Sequence, residues 1–318
     1  MPRPSERVDI HRIEFEVPWP PHTAYAYFLP TEEPILIDAG APGEEGWAAL
    51  ANGLEAAGYA PEDVEHLLIT HPHTDHDGQV SSLVDAADPT VYAPEGIRDR
   101  LSRDPDDLAS VVRRNAAAAG VPDPESAVER AVDSLRRNRS CLPPEDIDVD
   151  VAFGDPLDAG AITFTPIHVP GHQANQAAFL ADGDLFAGDT LIEPFRPAAL
   201  HVGFDRGYEE CIDAFYDGLD RLATHDIDRV YPGHGPVFED AGGAIEQARN
   251  DLDSLVASCR RTLSELGRAT AYEVTETRID DPRRMEFSVF ETVGSLARLE
   301  RRGETVSTAK NGVRTYRS

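Results

Sequence analysis

Lysine is almost missing from this chain of 318 residues, because Lys310 is the single one and the other 28 of the 29 basic side chains are arginine. Acidic residues number 58, and the formal net charge is −29 at pH 7. This excess of acid argues against a protein that coats nucleic acid along its whole surface. An acidic, lysine-poor surface is typical of a salt-rich cytosol, where screening removes the self-repulsion of a highly charged compact state. We therefore expect a halophilic source, with an ordinary acidic enzyme as the alternative.

Cysteine and long apolar runs are scarce as well. The three cysteines, Cys141, Cys211 and Cys259, are an odd number and widely spaced, which excludes a disulfide framework and a cysteine-based metal site. They fit a reducing compartment. No run approaches the length of a membrane span, and the N-terminus leads into no apolar signal segment. The sequence therefore predicts a cytoplasmic protein without a membrane partner.

Aromatic residues make up only 7% of the chain, yet 41% of its residues are hydrophobic, which is enough to bury a sizeable core. The length predicts one large domain, or one domain with a small accessory. Short apolar strands alternate with turns in the first 90 residues and return over 162–231, whereas about 94–147 shows helical patterns alone. We expect an α/β catalytic domain over 1–243 with a helical insertion at 94–147.

The last segment, 244–318, has a different pattern. A long amphipathic helix opens it, and capping boxes at 270–273 and 288–291 predict the starts of two further helices. Asn311-Gly312, between two β-prone stretches, predicts a type I′ hairpin. Helices followed by a hairpin indicate a small winged-helix-like C-terminal domain.

Four metal-binding side chains stand within six residues, directly after a strand predicted over 66–70. Three imidazoles and a carboxylate packed this tightly are costly unless a cation organises them. The histidine pair His71 and His73 can converge on one metal, while the next pair, Asp75 and His76, reaches a second. A histidine-rich surface loop without a metal is the alternative.

Three more candidate ligands fall just after predicted strands. His172, Asp189 and His234 each stand beside glycine, which lets the backbone and a metal approach closely. With the first motif they supply five histidines and two aspartates, enough for two metal sites. Imidazole and carboxylate ligands without thiolate suit Zn²⁺ best, with iron and manganese as alternatives.

These motifs, in this order over about residues 8–240, resemble those of the metallo-β-lactamase superfamily of hydrolases. The His-x-His-x-Asp-His signature is specific, and Asp38 in Leu-Ile-Asp-Ala-Gly corresponds to the family's early structural aspartate, which supports the metal loop. The resemblance implies an α/β fold of the αββα sandwich type, with two metals at one rim. It implies the following ligands: His71, His73 and His172 on the first metal, Asp75, His76 and His234 on the second, and Asp189 bridging both.

The ligand set also implies a mechanism. Two divalent cations that share a carboxylate lower the pKa of a bridging water enough to hold hydroxide near neutral pH. That hydroxide attacks a carbonyl or phosphoryl centre, and Asp75 is both a ligand and a candidate catalytic proton acceptor. The leading hypothesis is hydrolysis of a small-molecule carbonyl ester, above all a thioester, as in the glyoxalase II-like hydroxyacylglutathione hydrolases.

The tail resembles that of the lactamase-β-2-like proteins, which carry a winged helix. The helical insertion departs from compact glyoxalase II enzymes, which end in a helical substrate-binding region instead. Whether the insertion acts as a lid is left open by the sequence.

The charge distribution supports a competing hypothesis. Residues 283–318 carry eight basic and four acidic side chains, a net charge of +4 within the chain's −29. A basic winged helix on an acidic body is typical of nucleic-acid binding, so a metal-dependent nuclease or phosphodiesterase is the alternative function. We favour a tail that packs on the catalytic domain or on the mate in a homodimer. A non-catalytic scaffold ranks last, because none of the seven ligands is missing.

Other polar side chains carry weaker signals. Arg196 is expected to pair with one of the many local carboxylates rather than with a substrate anion. Five further histidines are expected at structural or surface positions: His22, His66, His168, His201 and His225.

Overall fold

The computed structural model describes residues 9–281 and 284–318. Its first sheet has the strand order β1-β2-β3-β4-β5-β6, with parallel pairing from β3 onward and antiparallel pairing before it. The strands are β1 (His11–Glu16), β2 (Thr23–Leu29), β3 (Ile35–Ile37), β4 (His66–Leu68), β5 (Thr90–Pro94) and β6 (Val149–Val151).

The second sheet has the order β11-β10-β9-β8-β7, and only β10 and β11 are parallel in it. A separate hairpin follows near the C-terminus. These strands are β7 (Leu157–Ala159), β8 (Ile162–His168), β9 (Ala177–Ala181), β10 (Asp184–Gly188), β11 (Arg229–Pro232), β12 (Val306–Lys310) and β13 (Val313–Arg317).

Helices cover the outer face of each sheet. Among the described residues, no helix is both long and apolar enough to cross a lipid bilayer. The helices are α1 (Gly43–Ala56), α2 (Val80–Ala87), α3 (Ile97–Leu101), α4 (Pro105–Ala118), α5 (Pro124–Cys141), α6 (Cys211–Leu222), α7 (Ala241–Leu266), α8 (Ala271–Arg278) and α9 (Met285–Arg301).

Alternating side chains on the strands separate the apolar layers. In β2, Tyr25 and Tyr27 point into the core between the two sheets, whereas Ala26 and Phe28 point into the core that α1 covers. This is the period-two pattern of a strand that is buried on both faces. A third core lies between the second sheet and its helices. The result is the expected αββα sandwich.

The third core extends without interruption from the second sheet into the C-terminal segment. It contains Leu185 of β10, Val112 of α4, Phe215 of α6 and Leu296 of α9, all nearly inaccessible to solvent. The insertion helices α4 and α5 belong to the same cluster. Residues after 243 therefore bury apolar surface against the body of the molecule, and a boundary there stays a prediction.

The C-terminal elements follow the predicted order of helices and hairpin. Asn311 and Gly312 have φ angles of 52° and 82°, as a type I′ turn requires. The capping box over 270–273 is present at the start of α8. The capping box predicted over 288–291 is wrong, because α9 already begins at Met285 and Ser288 lies inside it. The winged-helix assignment itself stays a prediction.

Several basic side chains of the tail are engaged with the body. Arg298 and Arg301 both form ion pairs with Asp213 of α6, and Arg314 of β13 pairs with Glu209. Their positive charge is therefore partly neutralised by neighbouring carboxylates. This arrangement favours packing over an exposed basic arm.

Candidate metal centre

Asp38 joins the ends of two neighbouring strands. It follows β3 with a φ of 59° and is 3% exposed. Its Oδ1 accepts a hydrogen bond from the Thr70 backbone N–H at 2.8 Å, and its Oδ2 accepts from Thr70 Oγ1 at 2.9 Å and from His76 Nδ1 at 2.8 Å. Because β3 and β4 are parallel, their carboxyl ends meet at this edge of the sheet. Asp38 therefore fixes the start of the histidine loop.

The same carboxylate orients two imidazoles. His76 donates from Nδ1 to Asp38, so its Nε2 is the ring nitrogen that faces the other candidate ligands. The Thr70 hydroxyl gives its only proton to Asp38 and must accept from His71 Nδ1, 3.0 Å away. His71 thus presents an unprotonated Nε2 to the site. This is the usual way in which a hydrogen bond to one ring nitrogen prepares the other for a metal.

Three histidines form a first cluster. The Nδ1 of His73 lies 3.1 Å from Nε2 of His71 and 3.0 Å from Nε2 of His172. His172 is oriented by its own Nδ1, which donates to the Ala198 carbonyl at 2.9 Å. The three ring nitrogens therefore converge on one point, although they come from two distant loops.

Asp75, His76 and His234 form a second cluster. His234 donates from Nδ1 to the Thr23 carbonyl at 2.5 Å and places Nε2 3.4 Å from Asp75 Oδ2. Nε2 of His76 lies 3.9 Å from the same oxygen. The ligand atoms of this cluster lie within 4.8 Å of one another, as do those of the first.

Asp189 lies between the two clusters. Its Oδ2 is 3.4 Å from His172 Nε2 and 3.3 Å from His234 Nε2, and its Oδ1 is 3.4 Å from His76 Nε2. Gly233 permits this approach, because a Cβ there would lie 2.5 Å from Asp189 Oδ1. One carboxylate therefore contacts ligands of both clusters.

Hydrogen bonds alone do not provide partners for all the ring nitrogens and carboxylate oxygens of the two clusters. His73 Nδ1 has at most one proton to donate, yet two imidazole nitrogens with free lone pairs point at it. Among the described residues, His76 Nε2 and Asp189 Oδ1 are buried without any hydrogen-bond partner. Buried polar atoms of this kind are expected to have a partner. Two divalent cations, one in each cluster, fit the unsatisfied donor set.

The two clusters differ in their protonation. Burial and, to a smaller extent, the charge of the neighbouring His172 lower the pKa of His73 to about 3. Burial also acts to lower the pKa of His234, but the charge of Asp189 and the hydrogen bonds to Asp189 and Asp75 together outweigh it and raise this pKa to about 10. The pKa of Asp75, which burial raises, is held at about 2 by the charge of His76 and a hydrogen bond from His234. Without metal, the second cluster holds protons and the first does not.

A cavity of about 400 Å³ adjoins the first cluster at His73. Its walls come from α3, from the insertion helices α4 and α5, from the loop over 200–205 and from the start of α9. The insertion therefore forms one wall of the cavity beside the first cluster.

The structure brings all seven predicted ligands together and places Asp38 beside them. Arg196 pairs with Glu291 of α9 at 2.7 Å, in line with the expectation of a carboxylate partner. Sequence patterns did not single out Arg100 or Gln173 and gave Glu291 only a helix-capping role, whereas the structure places all three around the site. Gln173 had a signal, since it directly follows a candidate ligand.

Three of the histidines that were expected at structural positions contact groups other than the candidate ligand side chains. His66 Nδ1 lies 3.2 Å from the Tyr92 hydroxyl, and His168 contacts the Ala174 carbonyl at 2.8 Å. His201 is close to the site through its backbone, which donates to the His172 carbonyl at 2.8 Å.

Comparisons with known proteins agree with this geometry. A family model described as "Metallo-beta-lactamase superfamily" matches residues 19–234. A crystal structure of a metallo-beta-lactamase family protein from Thermus thermophilus superposes with a TM-score of 0.82 at 24% identity, covering 97% of this chain and 98% of that one. A probable metallo-hydrolase of Bacillus subtilis is 23% identical over 306 residues, 92% of each protein.

Relatives with a named substrate match over shorter stretches. A hydroxyacylglutathione hydrolase of Xanthomonas campestris is 38% identical over 74 residues, 23% of this chain and 26% of that protein. One from Shewanella loihica is 27% identical over 197 residues, 61% of this chain and 56% of that protein. The chain thus spans only part of the length of these hydrolases.

Proposed function

The chain belongs to the metallo-beta-lactamase superfamily of hydrolases, and we propose that it hydrolyses a small-molecule carbonyl ester, above all a thioester. The observation that carries this proposal is the pair of ligand clusters with Asp189 between them. The similarity to hydroxyacylglutathione hydrolases supports the thioester. The partly apolar cavity beside His73 supports an acyl compound as the substrate.

The ligand roles follow the two clusters. We propose that His71, His73 and His172 hold one metal, that Asp75, His76 and His234 hold the other, and that Asp189 bridges them. Two Zn²⁺ ions bound in this way would supply a hydroxide at neutral pH and polarise the substrate carbonyl.

Two carboxylates have further roles in the proposed reaction: one accepts a proton, and the other orients metal ligands. Asp75 stays ionised at neutral pH, because its pKa is about 2, and we propose that it accepts the proton of the nucleophile. Asp38 holds His76 and, through Thr70, His71 in the tautomers that ligation requires. These hydrogen bonds orient the site before a substrate arrives.

The function is tested with a substrate panel. Protein loaded with two equivalents of zinc should hydrolyse at least one acyl thioester at high salt, and His172→Asn should lose more than about 100-fold in kcat/KM. His225→Asn, in the turn after α6, is the matched control and should keep the wild-type rate. Failure to turn over any thioester or lactone, with turnover of phosphodiesters instead, would overturn the proposal.

We propose that the C-terminal segment serves the catalytic body rather than nucleic acid. The ion pairs of Arg298, Arg301 and Arg314 with carboxylates of the body support this role. Salt-dependent binding of single-stranded RNA at moderate salt, lost on charge reversal of these arginines, would contradict it. We retain the cytoplasmic location and the salt-rich setting as proposals that rest on the composition.

A further inference from the structure

The cavity beside His73 has a charge opposite to that of the chain. We propose that it is the acyl pocket and that Arg100 in it binds a carboxylate on the acyl part of the substrate. The inference rests on the proposed ester or thioester hydrolysis and names the substrate class: a short acyl chain that ends in a carboxylate.

The lining of the cavity suits such a compound. Leu108 and Val112 of α4, Leu135 of α5 and Phe290 of α9 supply apolar wall. Polar groups are few in a typical ligand pocket and fix the orientation of the ligand. An aliphatic chain can therefore lie along these walls, while its charged end requires a specific partner.

Arginines supply that partner. Four arginines and two aspartates line the cavity, whereas the whole chain has 29 basic and 58 acidic residues. A surface with a net charge of −29 repels anionic substrates, so an anion needs a local positive field to enter. The reversed balance of charge inside the cavity provides this field.

Arg100 of α3 differs in its ion pairing from Arg103, which follows the same helix and also lines the cavity. Arg103 forms ion pairs with Asp205 and Asp107. Arg100 is half-buried and donates from Nη1 to Gln173 Oε1 at 2.5 Å and to the His201 carbonyl at 3.4 Å. Among the described side chains, no carboxylate lies within ion-pair distance of it. Burial is unfavourable for a guanidinium and lowers the pKa of Arg100, although the charge of Asp205 acts to raise it.

A carboxylate would complete the hydrogen bonding of this guanidinium. Only Nη1 of Arg100 has a described acceptor, which leaves Nη2 and Nε as a fork for two oxygens. Arginine binds carboxylates in this planar, bidentate way, and lysine does not reproduce the geometry. The free donors therefore favour a carboxylate over a neutral polar group.

The position of Arg100 limits the length of the acyl chain. Gln173 lies between Arg100 and the first cluster, since its Nε2 is 2.5 Å from His73 Nε2 while its Oε1 accepts from Arg100. One side chain thus separates the guanidinium from a metal ligand. A carbonyl at the metals and a carboxylate at Arg100 are compatible with an acyl chain of only a few carbons.

The first experiment compares two thioesters of the same thiol, a glutaryl and a pentanoyl thioester. The wild type should prefer the glutaryl thioester by at least about tenfold in kcat/KM, since a charge-assisted bidentate contact discriminates by this order. Arg100→Gln should abolish the preference, and Arg100→Lys should restore part of it. Arg229→Gln, which removes a surface ion pair with Glu239, is the control and should keep the preference. Equal preference in wild type and Arg100→Gln would overturn the proposal.

The second experiment separates the pocket from the reaction. Calorimetry with N-methylglutaramate and with N-methylpentanamide on metal-free protein measures binding without hydrolysis, because both are amides of the same chain length and only the first carries a carboxylate. N-methylglutaramate should bind at least about tenfold more tightly than N-methylpentanamide in wild type, and Arg100→Gln should lose this difference while its circular dichroism stays that of the wild type.

The two experiments have distinguishable outcomes. Binding that depends on Arg100, with no thioester turned over, would leave the carboxylate site standing and overturn the proposed hydrolysis. Thioester hydrolysis with no dependence on Arg100 in either experiment would leave the proposed function standing and overturn the carboxylate site.

Discussion

The two sides of the metal centre are supported by different parts of the chain. His71 and His76 are oriented by Asp38 and Thr70, which follow two adjacent strands of the first sheet. His172 is oriented by the Ala198 carbonyl, in the loop between β10 and α6, which is itself neither strand nor helix. The hydrogen bonds that orient His71 and His76 come from one edge of the first sheet, whereas the orientation of His172 depends on the contacts that hold the loop in place.

Helix α9 fixes that loop. Glu291 accepts a hydrogen bond from the Ala199 backbone N–H at 3.0 Å and pairs with Arg196 at 2.7 Å, on both sides of Ala198. Arg196 and Glu291 are both largely buried, with side chains 10% and 13% exposed. The C-terminal segment therefore takes part in positioning a candidate metal ligand. Residues after 243 thus contribute to the candidate site although they hold none of its predicted ligands.

The largest effect is expected on deleting 267–318. This deletion removes the buried α9 side chains Val289, Val293, Leu296 and Leu299. At about 1.5–3 kcal/mol each, their loss approaches the whole stability of a typical domain, about 5–15 kcal/mol. We expect no cooperative urea transition by circular dichroism, while removal of Ser318 alone should leave the transition unchanged. A cooperative transition near the wild-type midpoint would show that the tail is dispensable.

A smaller effect is expected from the support on the first sheet. Asp38→Asn replaces an acceptor of three hydrogen bonds by an amide whose Nδ2 faces donors, and it should lower zinc affinity by about 10–100-fold. Chelator competition measures this affinity. Asp182→Asn is the control, because Asp182 is exposed and also has a positive φ of 48°. An unchanged affinity in Asp38→Asn would refute the role of this carboxylate.

The support from α9 should matter less, because it acts on His172 through a loop. Glu291→Gln keeps an acceptor for Ala199 but loses the charge pair with Arg196, and we expect zinc affinity to fall by up to about tenfold. A double-mutant cycle with Arg196→Gln should show coupling between the two side chains. Additive effects in this cycle would mean that the ion pair does not hold the loop.

The protonation of the clusters predicts the smallest effect, on the pH dependence of metal binding. His234 has a raised pKa of about 10 and is protonated at pH 8, so zinc must displace its proton, and affinity should rise with pH up to about 10. Calorimetry at pH 8 in buffers of different ionisation enthalpy should detect at least one proton released. His234→Asn should reduce the release, whereas His73→Asn should not, because the pKa of His73 is about 3. No proton release in wild type would contradict the assigned difference between the clusters.

Much of the fold and the ligand set could be predicted from local patterns. Asn311-Gly312 specifies its hairpin because few residues adopt two successive positive φ angles. The capping box at 270–273 formed because both of its hydrogen bonds lie within one helical turn. His172, Asp189 and His234 stand beside glycine just after strands, a placement that strand periodicity shows without any tertiary contact.

Patterns failed where a distant partner decides what a side chain does. Glu291 was expected to cap a helix, but α9 begins earlier and its carboxylate binds Arg196 and Ala199 instead. Arg100 had no sequence signal, since its importance lies in the lack of a carboxylate within ion-pair distance of it in the described structure. Neither fact is a property of a window of neighbouring residues.

The sequence by itself therefore determined which side chains can act as ligands in the candidate metal centre, because the ligand types and their spacing at strand ends are local properties. It also determined the scarcity of lysine and the charge of −29. Only the tertiary structure decided that the tail supports His172 and that arginines of an acidic chain gather in one cavity. The physical reason is that packing and electrostatics depend on which surfaces the folded chain brings within a few ångströms, however far apart they lie in sequence.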